Sequence, residues 1–144
     1  MTGQEVPHIE TADLDAIRDA LDATDVEFAL LFGSHVRGDA TDDSDLDIAV
    51  RFPDSMSDRE CFRARNRIDA TLQEYAEGTV DVSDIDELPV AVQHAALQEG
   101  AVLCGDDSAV TDSRERVATT YASTVEERTD ERQAFIDRLA RGDT

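Results

Sequence analysis

Residues 31–38 of the chain read LFGSHVRG, and residues 44–50 read SDLDIAV. The nearly continuous apolar run from Val26 to Phe32 predicts a buried strand, which Gly33 ends. Ser34 stands where a short helix, to about Val36, would begin, so it can cap that helix while neighbouring amides face an anion. The first segment therefore predicts a strand followed by a phosphate-binding turn.

Two aspartates open the next predicted strand, which runs from Asp45 to Phe52. Side chains alternate between the two faces of a strand. One face therefore carries the apolar side chains, which are Leu46, Ile48, Val50 and Phe52. Asp45 and Asp47 fall on the other face, where two carboxylates repel each other unless a cation lies between them. Hard oxygen ligands at this spacing suit Mg²⁺, which is usually shared with substrate phosphates.

A third strand is predicted from Thr79 to Val82, with an extension toward Ile85. If Val80 and Val82 join the core, Asp81 must emerge on the side of Asp45 and Asp47. Asp84 has the apolar parity, so it should not reach that site. A slip of one residue would reverse this assignment, but it would expose two valines at about 1.5–3 kcal/mol each.

Spacing makes this pattern specific, because Asp-x-Asp alone also occurs at residues 13–15, 43–45 and 84–86. Gly33-Ser34-x-x-Arg37-Gly38, followed by Ser44-Asp45-x-Asp47, resembles the signature of the DNA polymerase β-like nucleotidyltransferase superfamily. The pattern is most similar to the smallest members, the minimal nucleotidyltransferases (MNT). The similarity extends over roughly residues 29–105, including the third strand and the strand after Gly100.

The resemblance implies an α/β fold in which a small mixed sheet is flanked by helices. It also implies that Asp45, Asp47 and Asp81 are catalytic and bind two Mg²⁺ ions. Gly33 and Ser34 would hold the triphosphate of ATP, the usual donor of the family.

Two further residues of the motif are assigned to nucleotide binding with alternatives left open. Arg37 either touches a phosphate or pairs with Asp39 or Asp42. Ser44 either contacts the nucleotide or caps and orients the aspartate-bearing strand.

The size and pattern of the chain resemble MNT antitoxins, which pair with helical HEPN-domain ribonuclease toxins. Members of that group transfer AMP to a tyrosine of the toxin and so neutralise it, which implies a hetero-oligomer with the toxin. Two alternatives stay open: a small-molecule nucleotidyltransferase, such as one that modifies an aminoglycoside, and a non-catalytic antitoxin that masks its toxin by binding. A HEPN reading frame next to this gene would favour an antitoxin over the small-molecule enzyme.

The chain is strongly acidic, with 34 acidic and 13 basic residues and a net charge of −21. All the basic residues are arginine. Such a surface repels itself in dilute buffer, whereas in molar salt the screening length falls to about 3 Å. The composition predicts a halophilic protein of a salt-accumulating cytoplasm. It argues against unaided binding to nucleic acid, whose phosphates require cations.

The 144 residues predict a nucleotidyltransferase domain over 1–107, with a short N-terminal arm, and a helical extension over 108–144. Without a signal peptide or a membrane-length apolar run, the chain is expected to be soluble and cytoplasmic, with no membrane contact. Cys61 and Cys104 predict no disulfide framework.

Four helices complete the prediction, and a short strand from Ala101 to Cys104 follows the third of them. The first is capped by Thr11 or Asp13, and the second spans about Ser57 to Ala76 and buries Phe62, Ile68 and Leu72. The third runs from Pro89 to Gly100 and holds Val92, Ala96 and Leu97. The last, about Ala109 to Ala140, has a thin apolar stripe that packs either on its own domain or on a helical partner.

Overall fold

The computed structural model describes residues 12–38 and 45–140, with only the backbone for Arg37 and residues 125–140. The predictions for the N-terminal arm, for Thr11 and for Ser44 lie outside the described residues. The helices are α1 (Leu14–Asp22), α2 (Ser34–Arg37), α3 (Asp58–Gln73), α4 (Val90–Glu99) and α5 (Asp107–Ala140), with a 3₁₀ helix at Ile85–Glu87. The strands are β1 (Phe28–Phe32), β2 (Leu46–Arg51), β3 (Val80–Asp84) and β4 (Ala101–Gly105).

The four strands form one mixed sheet in the order β3-β2-β1-β4. Strand β1 lies between β2 and β4 and pairs antiparallel with both. Strands β2 and β3 are parallel, and α3 supplies the crossover that a parallel pair requires. The predicted α/β fold with a mixed sheet and a long C-terminal helix is confirmed.

Both faces of the sheet are buried, each by a different pair of helices. On one face α1 and α3 pack against a core whose central side chains are Ile17, Leu21, Leu31, Ile48, Val50, Ile68 and Leu72. The opposite face carries a second core of Phe28, Leu30, Ala49, Ile85, Leu97, Val110 and Val117. The apolar parity predicted for β2 and β3 is confirmed, because Leu46, Ile48, Val80 and Val82 all belong to the first core.

The first part of α5 packs on its own domain. Val110 and Val117 are buried in the second core beside Phe28 and Leu97. The His94 ring on α4 stacks on Tyr121 of α5, with ring centroids 4.2 Å apart. These contacts pack the N-terminal part of α5 against the rest of the domain. The predicted boundary between a domain over 1–107 and an extension over 108–144 therefore stays a prediction.

The side chain of Phe62 was predicted to be buried but is exposed, and Val92 of α4 is a second exposed apolar side chain. Phe62 is 61% exposed, because the inward face of α3 is set by Cys61, Ile68 and Leu72, and Phe62 lies about 100° around the helix from Cys61. Its ring instead packs beneath the Arg65 guanidinium, 5.8 Å from the ring centroid. Val92 is 37% exposed, whereas Ala96 and Leu97 are the buried residues of α4.

Within residues 12–38 and 45–140, no helix combines the length and the apolar character that crossing a bilayer requires.

Asp84 ends β3 and caps the 3₁₀ helix, accepting a hydrogen bond from the Asp86 amide at 3.0 Å. Burial raises the pKa of its carboxyl, and repulsion from Asp86 and Glu87 acts in the same direction. A carboxyl with a higher pKa in the folded than in the unfolded chain destabilises the fold when ionised. The ionised Asp84 carboxylate therefore lowers the free energy of unfolding. This loss is recovered as the pH falls through the raised pKa of the folded state toward the ordinary pKa of 3.8.

We therefore expect Asp84→Asn to stabilise the protein at pH 7. The amide oxygen can still cap the 3₁₀ helix, while the charge is lost, so the gain should reach about 1 kcal/mol at most after solvent screening. Chemical denaturation at pH 7 and near pH 3 measures the gain, which should shrink as the pH falls through the folded pKa and disappear below the unfolded value of 3.8. Lower stability of the variant at pH 7 would contradict the expectation.

Candidate active site

The end of β1 and the start of β2 lie side by side. Phe32 is the register partner of Asp47 in this antiparallel pair. Gly33 follows with φ 85° and ψ −154°, a conformation that is essentially restricted to glycine. A β-carbon built on Gly33 would collide with Oδ2 of Asp47. The Gly33 backbone therefore lies directly against a carboxylate of the predicted metal site, and only glycine leaves room for it.

The turn after Gly33 is a single helical turn between two glycines. Gly33 is the N-cap of α2 and Ser34 is its first residue, so the predicted capping role of Ser34 is wrong. The reason is that Gly33, not Ser34, has the non-helical backbone angles. Gly38 ends the turn in the left-handed conformation, and its amide donates to the Ser34 carbonyl at 3.0 Å.

Two of the three predicted carboxylates share one face of the sheet, and the third has the matching position in the chain. Asp47 and Asp81 are register partners in the parallel pair β2–β3, so their side chains leave the sheet on the same side. Asp45 directly precedes β2 and has the same parity as Asp47. Asp47 is half-buried, whereas Asp45 and Asp81 are exposed. The predicted face of Asp81 is confirmed, and Asp84 pairs with Val50 on the apolar parity.

These carboxylates fit Mg²⁺ in donor chemistry and in backbone register. Carboxylate oxygens are the hard ligands that the ion prefers. Within residues 12–38 and 45–140, however, no three His, Cys, Asp or Glu side chains are gathered closely enough to hold a metal ion. Mutual repulsion of like charges keeps such oxygens apart, and rotation about the side-chain bonds is enough to change their spacing. The roles of Asp45, Asp47 and Asp81 as ligands stay a prediction.

The side chain of Arg37 and the whole of Ser44 lie outside the described part of the chain. The backbone of Arg37 ends α2. Their predicted contacts with the nucleotide therefore stay predictions.

The sequence pattern missed the side chains that cover the outer edge of β3, next to Asp81. Arg65 Nη1 donates to the Val82 carbonyl at 3.1 Å, and Gln73 bonds to the backbone of Val80. Both residues are on α3, whose interpretation depended on its apolar positions. Apolar periodicity does not reveal a polar side chain that forms a hydrogen bond with the edge of a strand. The only signal in the sequence was the short separation of Gln73 and Val80 along the chain.

Replacement of Asp81 tests the third carboxylate. We expect Asp81→Asn to lower the rate of nucleotidyl transfer by roughly 10²–10⁴-fold, because it removes both a ligand charge and a candidate base. Asp84→Asn, the matched control on the same strand but the opposite face, should change the rate little. A purified transfer assay compares the two, and the opposite ranking would reject Asp81 as the third carboxylate.

A family model described as polymerase beta, nucleotidyltransferase matches residues 15–109. The match includes β1, Gly33, Ser34 and the strands that carry Asp47 and Asp81. The chain therefore belongs to the polymerase β nucleotidyltransferase family. No curated protein matches it.

Solved structures with the same fold include one chain of each of three toxin–antitoxin complexes. A toxin–antitoxin crystal structure with AMP-PNP aligns with a TM-score of 0.63 and 22% identity, covering 89% of this chain and 98% of the other. A MntA–HepT complex aligns at 0.56 and 20%, covering 88% and 96%. A tri-AMPylated HEPN toxin from Shewanella oneidensis in complex with its MNT antitoxin aligns at 0.55 and 18%, covering 89% and 99%. At these identities the alignments establish the shared fold.

Proposed function

We propose that the chain is an MNT-type antitoxin that acts as a protein adenylyltransferase. It transfers AMP from ATP to a tyrosine of a cognate HEPN ribonuclease toxin and so neutralises the toxin. The observation that carries the proposal is the position of Asp47, which lies against the Gly33 backbone on one side and is level with Asp81 on the other. This position supports a site that combines phosphate binding with metal binding, as nucleotidyl transfer requires.

Each residue has a distinct task in this proposal. The Gly33 backbone and the Ser34 hydroxyl hold the outer phosphates, so that the acceptor oxygen approaches the α-phosphorus in line with the departing pyrophosphate. Asp45, Asp47 and Asp81 would hold Mg²⁺. When bound, Mg²⁺ supplies neutralisation of phosphate charge and a lower pKa for the acceptor hydroxyl. The exposed Asp81 accepts the hydroxyl proton as the new P–O bond forms and the bond to pyrophosphate breaks.

The choice of donor and acceptor is supported by the structural neighbours. One of them was crystallised with AMP-PNP, an ATP analogue. Another contains a HEPN toxin that carries AMP groups, beside an MNT antitoxin. The alignments cover 98% and 99% of the matching chain in these two complexes, so the similarity supports the proposal over nearly the whole of each matching chain.

The net charge of the chain also supports a protein acceptor. A net charge of −21 disfavours direct contact with RNA or DNA, so a protein acceptor suits this surface better than a polynucleotide. Function in concentrated salt is part of the proposal, because screening there removes most of the self-repulsion.

Co-expression with the product of the neighbouring gene tests the proposal directly. The intact mass of that partner should rise by one or more AMP units with the wild-type chain, and should not rise with Asp45→Asn combined with Asp47→Asn. If the double variant still protects the cells while the partner mass is unchanged, the chain is a masking antitoxin. A wild-type chain that leaves the partner unmodified but modifies an aminoglycoside would establish the small-molecule enzyme instead.

A further inference from the structure

Among the residues that the structure describes, strand β3, which carries Asp81, has a neighbouring strand on one side only. Its inner side pairs with β2, where the Leu46 amide donates to the Thr79 carbonyl at 2.9 Å. In a parallel pair the backbone groups of alternate residues point to the two sides. The amide and carbonyl of Val80 therefore point outward, away from β2, and Val80 immediately precedes Asp81.

The side-chain amide of Gln73 takes the place of a missing strand at this position. Its Oε1 accepts a hydrogen bond from the Val80 amide at 3.1 Å, and its Nε2 donates to the Val80 carbonyl. Nε2 also donates to Oδ1 of Asp69, one turn earlier on α3, at 2.7 Å. The donor and acceptor ends of the amide are thus both engaged, which fixes its orientation.

The helix end that carries Gln73 is itself firmly anchored. Leu72, the preceding residue, is 1% exposed in the first core. Just beyond the helix, the Asp13 amide donates to the Tyr75 carbonyl at 2.8 Å, and Ala12 forms a bridge with Ala76. Through its hydrogen bonds to Val80, Gln73 therefore holds the first residue of β3 in a fixed position relative to α3.

We propose that Gln73 is a positioning residue for the metal site. By binding both backbone groups of Val80, it prevents the start of β3 from fraying and keeps Asp81 level with Asp47. The inference rests on the proposed function to the extent that Asp81 is a metal ligand. In this proposal Gln73 acts only through the backbone of Val80 and does not contact metal or nucleotide.

The test is the affinity for Mn²⁺ in the presence of a non-hydrolysable ATP analogue, followed by electron paramagnetic resonance. Gln73→Met keeps the length of the side chain and removes both hydrogen bonds to Val80. We expect Mn²⁺ to bind roughly tenfold more weakly, as is typical when a residue that orients a ligand is lost.

Gln93→Met is the matched control. Gln93 is also a half-buried helical glutamine, and its Nε2 donates to the Leu88 carbonyl at 2.8 Å, on an element that does not carry Asp81. The same substitution there should change stability comparably and leave Mn²⁺ affinity unchanged. Equal affinities for Gln73→Met and the wild type, or equal losses in both variants, would overturn the proposal.

A measurement on the wild-type chain decides the question if Gln73→Met does not fold. Since coupling is reciprocal, binding of Mg²⁺ with the ATP analogue should slow hydrogen exchange at the Val80 amide. Unchanged exchange at Val80 in the fully bound protein would reject the coupling. If the wild-type chain binds no divalent ion at all, the proposed function fails, a result separate from any effect of Gln73.

Discussion

Asp45→Asn combined with Asp47→Asn is expected to abolish nucleotidyl transfer while leaving the chain folded. The two carboxylates are the predicted ligands of Mg²⁺, whose neutralisation of phosphate charge is worth several kcal/mol in the transition state. The loss in rate should therefore be about three orders of magnitude or more. The fold should persist, because the change removes two like charges from one face and leaves the buried side chains of β2 untouched.

The chain contains its own control for this double substitution. Asp84 and Asp86 have the same spacing, but Asp84 lies on the apolar parity of β3 and Asp86 in the 3₁₀ helix. Asp84→Asn with Asp86→Asn changes the net charge by the same amount. Transfer assays at saturating ATP and Mg²⁺ should show near wild-type rates for this control. A similar loss in both double variants would mean that general charge, and not the Asp45–Asp47 site, governs the rate.

Gly33→Ala is expected to lower transfer by about 100-fold. Its β-carbon would collide with Oδ2 of Asp47 and push aside a predicted ligand, and a misplacement of about 1 Å near the reacting groups has an effect of this size. The backbone at Gly33 is also restricted to glycine, so the free energy of unfolding should fall by about 1–3 kcal/mol. Transfer rate and thermal stability are both measured.

Gly38→Ala separates displacement of Asp47 from backbone strain. Gly38 has the same φ of 85°, but a β-carbon there meets nothing within 4 Å. This variant should lose about 1–2 kcal/mol of stability and keep most of its activity. If Gly38→Ala is as inactive as Gly33→Ala, strain in the turn and not the position of Asp47 explains the effect.

The sequence was informative wherever apolar parity determined the outcome. The alternation in β2 and β3 identified the core face, and so it correctly assigned Asp81 to the face of Asp47 and Asp84 to the opposite one. Burial makes such parity reliable, because a slip of one residue would expose a whole row of apolar side chains. The mixed sheet was instead implied by the resemblance to the minimal nucleotidyltransferases, because alternation within a strand does not fix the direction of its neighbours.

The sequence failed where no large burial energy was involved. Phe62 looked like a core residue by composition, but the helical phase set by Ile68 and Leu72 leaves it in solvent. The capping role given to Ser34 belongs to Gly33, because backbone angles cannot be derived from side-chain type alone. Gln73 was overlooked because its two hydrogen bonds to Val80 depend on how α3 lies against the edge of the sheet.

In the proposed function, the Gly33 turn and the three aspartates form one metal-dependent nucleotide site. Calorimetric titration of the purified chain with a non-hydrolysable ATP analogue tests it without any assumption about the acceptor. We predict binding that requires Mg²⁺ and is lost in the Asp45→Asn, Asp47→Asn double variant but retained in the Asp84→Asn, Asp86→Asn control. Equally tight binding in EDTA, or by the Asp45→Asn, Asp47→Asn variant, would contradict the claim.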